Sequence, residues 1–213
     1  VPSGTGLGSS SAFTVGLLNL LYAYKDKFAS KSRLAHEASE IEIDILKEPI
    51  GKQDQYACAF GGMNFIKFNI DCSVDIEPIR ATKESLKKIN NHLIAFYLNK
   101  TRDASSVLTE QSQNITSSDE KFKIMQKMKE ITLQMREELD NDKIDKFGEM
   151  MHKSWLLKKR LASNISNPEI DEIYNKGILA GAAGGKILGA GGGGFILFYC
   201  DPLKRGQLKN ALS

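Results

Sequence analysis

The sequence predicts an α+β protein of two layers, and three observations predict it. Helix-period segments and short apolar strands are mixed through the first hundred residues. A long polar, helical tract runs from Ala104 to about Ser163. The chain then closes with a strand, a glycine turn, a second strand and a last helix. With 213 residues, 41% of them hydrophobic and 26% charged, it can fill one large domain or two small ones around a sizeable core.

From Ser9 to about Lys25, Phe13, Leu17, Leu20 and Leu21 recur on one side of a helix, with Ser9 and Ser10 as N-cap types. "SRLAHEASEIEIDIL" predicts a second helix from about Ser32 to Leu46, broken at Pro49 and Gly51. A short helix at "QDQYACAF" precedes two strands, "GGMNFIKFNI" and "SVDIEPI". The polar stretch "RATKESLKKINN" joins them to a third strand, "HLIAFYLN", and puts a domain boundary near residues 80–90, giving domains 1–85 and 86–213. Another helix is expected from Pro168 to Ala180. "GGKILGAGGGGFILFYC" reads as a hairpin, and a final helix starts at about Pro202.

The net charge of +3 is weak and dispersed, which argues against nucleic acid as a partner. Cys58, Cys72 and Cys200 form no CxxC pair and read as reduced thiols. No apolar run reaches the roughly 18 residues of a membrane span. The opening reads as an internal helix rather than a signal peptide. The expectation is a soluble, cytoplasmic protein without a membrane partner, with monomer and homodimer both open.

The chemistry concentrates in two glycine-rich stretches. "PSGTGLGSSSA" feeds directly into a helix start, where free N–H groups and the helix dipole favour an anion and serine hydroxyls can meet phosphate or Mg²⁺. The alternative is a tight turn with serine caps. It is no Walker loop, since no Lys follows the last glycine. In the second stretch, Gly189, Gly191 and Gly194 satisfy G-x-G-x-x-G, yet "FILFYC" after them is a strand, which excludes a dinucleotide fingerprint. Six Gly and Ala residues between two strands still exceed what a hairpin turn needs, so something approaches that backbone closely.

Taken together, "PSGTGLGSSSA", "EIDILKEPIGKQDQYACAFGG" and "KILGAGGGGF", in that order, resemble the three motifs of the GHMP kinase superfamily. Within it, "EIEIDILKEPIGKQDQYACAFGG" and "NKTRDASSVLTEQ" resemble the bacterial kinases of D-glycero-D-manno-heptose 7-phosphate. The resemblance implies a two-domain architecture, with a ribosomal-protein-like N-terminal domain, present in part, and a ferredoxin-like C-terminal domain. It implies ATP and Mg²⁺ as cofactors and phosphorylation of the anomeric hydroxyl. Galactose, fucose and mevalonate kinases of the same family, and a non-catalytic binding module, are the alternatives.

The resemblance assigns residues as well. Gly4, Gly6, Leu7, Gly8, Ser9, Ser10 and Ser11 would bind ATP, with Ser11 capping the helix or touching phosphate. Ser10 and Glu42 would hold Mg²⁺, Glu42 standing twelve positions before Asp54; the alternative for Glu42 is a solvated helix face. Asp54 would be the catalytic base, or else a simple N-cap. Thr101, Arg102, Gly191 and Gly192 would bind the sugar phosphate, and a surface salt bridge is the other reading of Arg102. His36, His92, His152 and Trp155 read as structural. The resemblance also implies a preceding segment carrying the first strands and a sugar-binding motif, and a closing strand after "LKNALS". The chain is therefore expected to be a fragment, inactive alone.

Overall fold

A computed structural model describes residues 5–100 and 104–213, which form two compact units. The first comprises residues 7–79, the second residues 5–6 with 80–213. No helix among the described residues is long and apolar enough to cross a membrane.

In the first unit, α1 (Ser9–Tyr24) starts from Gly8, whose φ of 66° is the left-handed backbone that glycine adopts without steric cost. Ser9 and Ser10, expected as caps, are instead the first helical residues, and no side chain caps the helix. The face that carries Phe13, Leu17, Leu20 and Leu21 is exposed, with Phe13 70% and Leu20 64% accessible. The reason lies in the opposite stripe, where Ser11, Val15, Leu18 and Tyr22 follow at helical spacing. Val15, Leu18 and Tyr22 pack with the small side chains of Ala29, Ala38 and Ala59, which allow a close approach.

Ser30 caps α2 (Lys31–Ser39) by accepting from the Arg33 N–H. The single helix expected through Leu46 widens into a π-helical turn, Glu40–Ile45. β-Branched Ile41, Ile43 and Ile45 crowd an α-helical backbone there, and Glu42 in the same turn is buried. The Tyr22 hydroxyl donates to Glu37, which Arg33 also clamps at 2.8 Å, and that guanidinium holds the Glu37 carboxyl below its ordinary range. After α3 (Gln53–Phe60), β1 (Asn64–Phe68) and β2 (Val74–Pro78) form an antiparallel two-stranded sheet with Ile66 opposite Ile76.

The second unit opens on a difference. The polar stretch expected as a connection forms α4 (Lys83–His92), capped by Thr82 and anchored by buried Ile89. Its strands β3 (Leu93–Tyr97), β4 (Ala182–Ile187) and β5 (Phe195–Cys200) make an antiparallel sheet in the order β3-β5-β4. Between β3 and β4 run α5 (Ala104–Ser117), α6 (Asp119–Asp140), α7 (Phe147–Lys158) and α8 (Pro168–Leu179); a 3-10 turn and α9 (Arg205–Leu212) follow β5. Ile94, Phe96, Ile187, Ile196 and Phe198 share one sheet face and form the core with Trp155, Tyr174 and Leu208. His92 stacks on Tyr199, and His152 meets the Tyr174 hydroxyl at 2.7 Å, while His36 stands beside Glu40 on the surface.

Candidate active site

The N-terminal loop enters α1 with its serines divided between two faces. Gly4 lies outside the described residues. Leu7, Ser9 and Ser10 are exposed beside the uncapped helix start, where the first N–H groups have no intrahelical partner. Ser11, expected to cap the helix or touch phosphate, is buried. It lies on the inner stripe of α1, and its hydroxyl donates to Glu42 Oε2 at 2.7 Å.

Glu42 is therefore no member of a solvated face. It is 3% exposed, and both Ser11 and the Gln55 side-chain amide donate to its Oε2. Its other oxygen accepts no hydrogen bond among the described residues. Gln55 Oε1 is buried and has no hydrogen-bond partner among the described residues. The structure brings Ser11, Glu42 and Gln55 together, and it shows no hydrogen bond between Ser10 and Glu42.

Asp54 sits in the first turn of α3, and the N-cap position falls to Lys52, so Asp54 is not the cap. Its carboxylate lies against the loop: a Cβ on Gly8 would stand 3.5 Å from the Asp54 Cβ and 3.6 Å from Oδ2. One turn later, Cys58 Sγ reaches the Gly8 carbonyl at 3.8 Å. Burial pushes the Cys58 thiol up, and the nearby negative charges of Asp54 and Glu42 add to it. The first turn of α3 thus holds a carboxylate beside the last glycine of an open loop, with a second carboxylate, Glu42, on the adjoining π-helical turn.

The C-terminal glycine stretch meets protein backbone. A Cβ on Gly6 (φ 77°) would fall 2.6 Å from the Leu188 carbonyl oxygen, and one on Gly194 (φ 80°) 2.3 Å from the Thr5 carbonyl oxygen. Gly191 and Gly192 are buried against Ile165, whose carbonyl accepts from the Gly192 N–H at 2.8 Å. What approaches this glycine-rich loop so closely is the chain itself, through Thr5–Gly6 and Ile165. Thr101 and Arg102 lie outside the described residues.

The residues present fit both expected groups. Exposed Ser9 and Ser10 at an uncapped helix start suit a phosphate chain, and Glu42, held through one oxygen with the other unengaged, suits a divalent cation. Sequence reasoning missed Gln55, which organises Glu42. Its place next to Asp54 in "QDQ" was the available signal, but nothing in the sequence marked the π-helical turn that brings Glu42 to it.

Residues 1–62 match the GHMP kinases N terminal domain, and residues 135–213 match the GHMP kinases C terminal domain. The chain is 33% identical over 212 residues to D-glycero-alpha-D-manno-heptose 7-phosphate kinase of Campylobacter jejuni, covering 100% of this chain and 62% of that protein. Mevalonate kinase of Methanocaldococcus jannaschii is 28% identical, with 100% and 63% covered. A sugar kinase structure from Campylobacter jejuni superposes with a TM-score of 0.77 at 33% identity, over 100% of this chain and 60% of that one. The chain thus spans somewhat under two thirds of the length of these relatives.

Proposed function

Because the chain belongs to the GHMP kinase family, we propose that it serves an ATP- and Mg²⁺-dependent kinase that phosphorylates the anomeric hydroxyl of D-glycero-D-manno-heptose 7-phosphate. The observation that carries this reading is the Asp54 carboxylate standing against Gly8 at the mouth of the α1 loop. A kinase acting on an alcohol needs a proton acceptor beside a phosphate cradle, and these two residues supply that pair.

Exposed Ser9 and Ser10, with the backbone of Gly6, Leu7 and Gly8, cradle the nucleotide phosphates. Glu42 and Ser10 would hold Mg²⁺, which would supply positive charge to the phosphate oxygens. Asp54 orients the sugar hydroxyl and takes its proton as the oxygen attacks the terminal phosphorus. The bond from that phosphorus to the ADP oxygen breaks, and ADP leaves with the electron pair. Thr101 and Arg102 are the proposed contacts to the sugar phosphate; Gly191 and Gly192, buried against Ile165, are not. The 33% identity to the heptose kinase supports the sugar. The 28% identity to a mevalonate kinase makes a different alcohol acceptor the second reading.

The test is ATP consumption by the full-length protein with D-glycero-D-manno-heptose 7-phosphate, galactose and mevalonate, with Asp54→Ala as control. Turnover confined to the heptose phosphate and lost in the variant supports the proposal. Turnover with mevalonate alone replaces the sugar reading by the second one.

A further inference from the structure

At the start of α3, within the first unit, lies a cavity of about 430 Å³. One wall is Lys52 and Gln53, where the chain enters α3; the other is the β1–β2 turn, with Phe68, Asn69, Cys72 and Ser73. Its volume falls within the range of small-molecule sites. Phe68, half-exposed, stands edge-on to buried Tyr56 at 6.1 Å and gives the cavity an aromatic wall.

Lys52 is half-buried and forms no ion pair or side-chain hydrogen bond among the described residues. The carboxylates of the facing turn are engaged elsewhere. Asp71 accepts from the Ser73 N–H and hydroxyl, and Asp75 accepts from Asn69 and stands 3.8 Å from Lys67. The cavity thus offers one uncompensated positive charge, an aromatic wall and amide and hydroxyl groups, two residues along the chain from Asp54.

We propose that this cavity receives the phosphate end of a phosphorylated alcohol acceptor, with Lys52 as its counter-charge. The inference rests on the kinase reading above and places the acceptor's existing phosphate on Lys52, separately from any contact to Arg102. Lysine is a point charge for phosphate.

The experiment measures binding of D-glycero-D-manno-heptose 7-phosphate, of the unphosphorylated heptose and of phosphomevalonate by calorimetry, on the wild type, Lys52→Met and Lys52→Arg. Lys52→Met is expected to weaken the phosphate ester by about tenfold to a hundredfold, as for a lost charge-assisted hydrogen bond. The unphosphorylated sugar should be unaffected, and Lys52→Arg should recover most of the affinity. Bound ester should also slow iodoacetamide labelling of exposed Cys72, read by mass spectrometry, in the wild type but not in Lys52→Met. Unchanged ester affinity in Lys52→Met, equal weakening of both sugars, or a wild type that binds no phosphorylated acceptor would each overturn the subsite. Should phosphomevalonate bind in place of the heptose ester, with the same dependence on Lys52, the subsite stands and the sugar assignment falls.

Discussion

Asp54 and Glu42 are both acidic, twelve residues apart, and their surroundings give them different work. Asp54 is exposed beside Gly8, so its removal should cost chemistry rather than stability. Asp54→Asn is expected to lower kcat by about 10²- to 10⁴-fold with ATP affinity retained, as measured by steady-state kinetics and nucleotide titration. Glu42 is buried under two donors. Glu42→Ala strands the Ser11 hydroxyl and the Gln55 amide without their acceptor, and should cost about 2–4 kcal/mol in urea melts. A variant as stable as the wild type would remove Glu42 from the framework of the unit. The sequence pointed to Asp54 through its place after a Pro/Gly break and its match to a family motif, and the structure sets its carboxylate beside Gly8. The Ser11–Glu42–Gln55 cluster was not legible, because serine reads equally as a cap and a glutamate among acidic neighbours reads as solvated.

At the scale of elements, strands and the C-terminal hairpin were legible because apolar runs bounded by glycine have few other solutions. The orientation of α1 was not. Its most apolar stripe is exposed, and a stripe that includes a serine faces α2 and α3, since contact there depends on small partners that no periodicity in α1 reveals. The π-helical turn was equally silent, as one widened turn leaves no spacing signature. Gly6 gives a direct test of the close backbone crossing. Gly6→Ala would hold an L-residue at φ 77° with its Cβ 2.6 Å from the Leu188 oxygen, and should lose at least about 2 kcal/mol in a denaturant titration. Gly16→Ala, inside α1 with open space around its Cβ, should instead gain about 0.5–1 kcal/mol.

Over the whole molecule, all three thiols are free, and they differ in access: Cys72 is exposed, Cys58 half-buried and Cys200 buried. A thiol reagent should modify Cys72 first, with Cys200 reacting only on unfolding, and reductant should leave Tm unchanged. Alkaline pH provides a second global readout. Burial pushes the Tyr174 phenol up to about 12, with Tyr56 and Tyr199 raised for the same reason. In the unfolded chain these groups ionise near pH 10 while the folded chain keeps its protons, so stability should decline as pH rises from about 10 towards 12. Tyr174→Phe should flatten that decline in melts taken across the interval; an unchanged slope would assign it to other groups.

The clasp of Thr5 and Gly6 on the Leu188–Gly194 backbone has a temporal side. Translation makes the two glycine stretches at opposite ends of this chain, more than 180 residues apart, and neither can reach its packed form before the later one has left the ribosome. A nascent chain arrested ahead of Leu188 would already carry every serine and glycine of the α1 loop, and would lack the surface that shapes its entry.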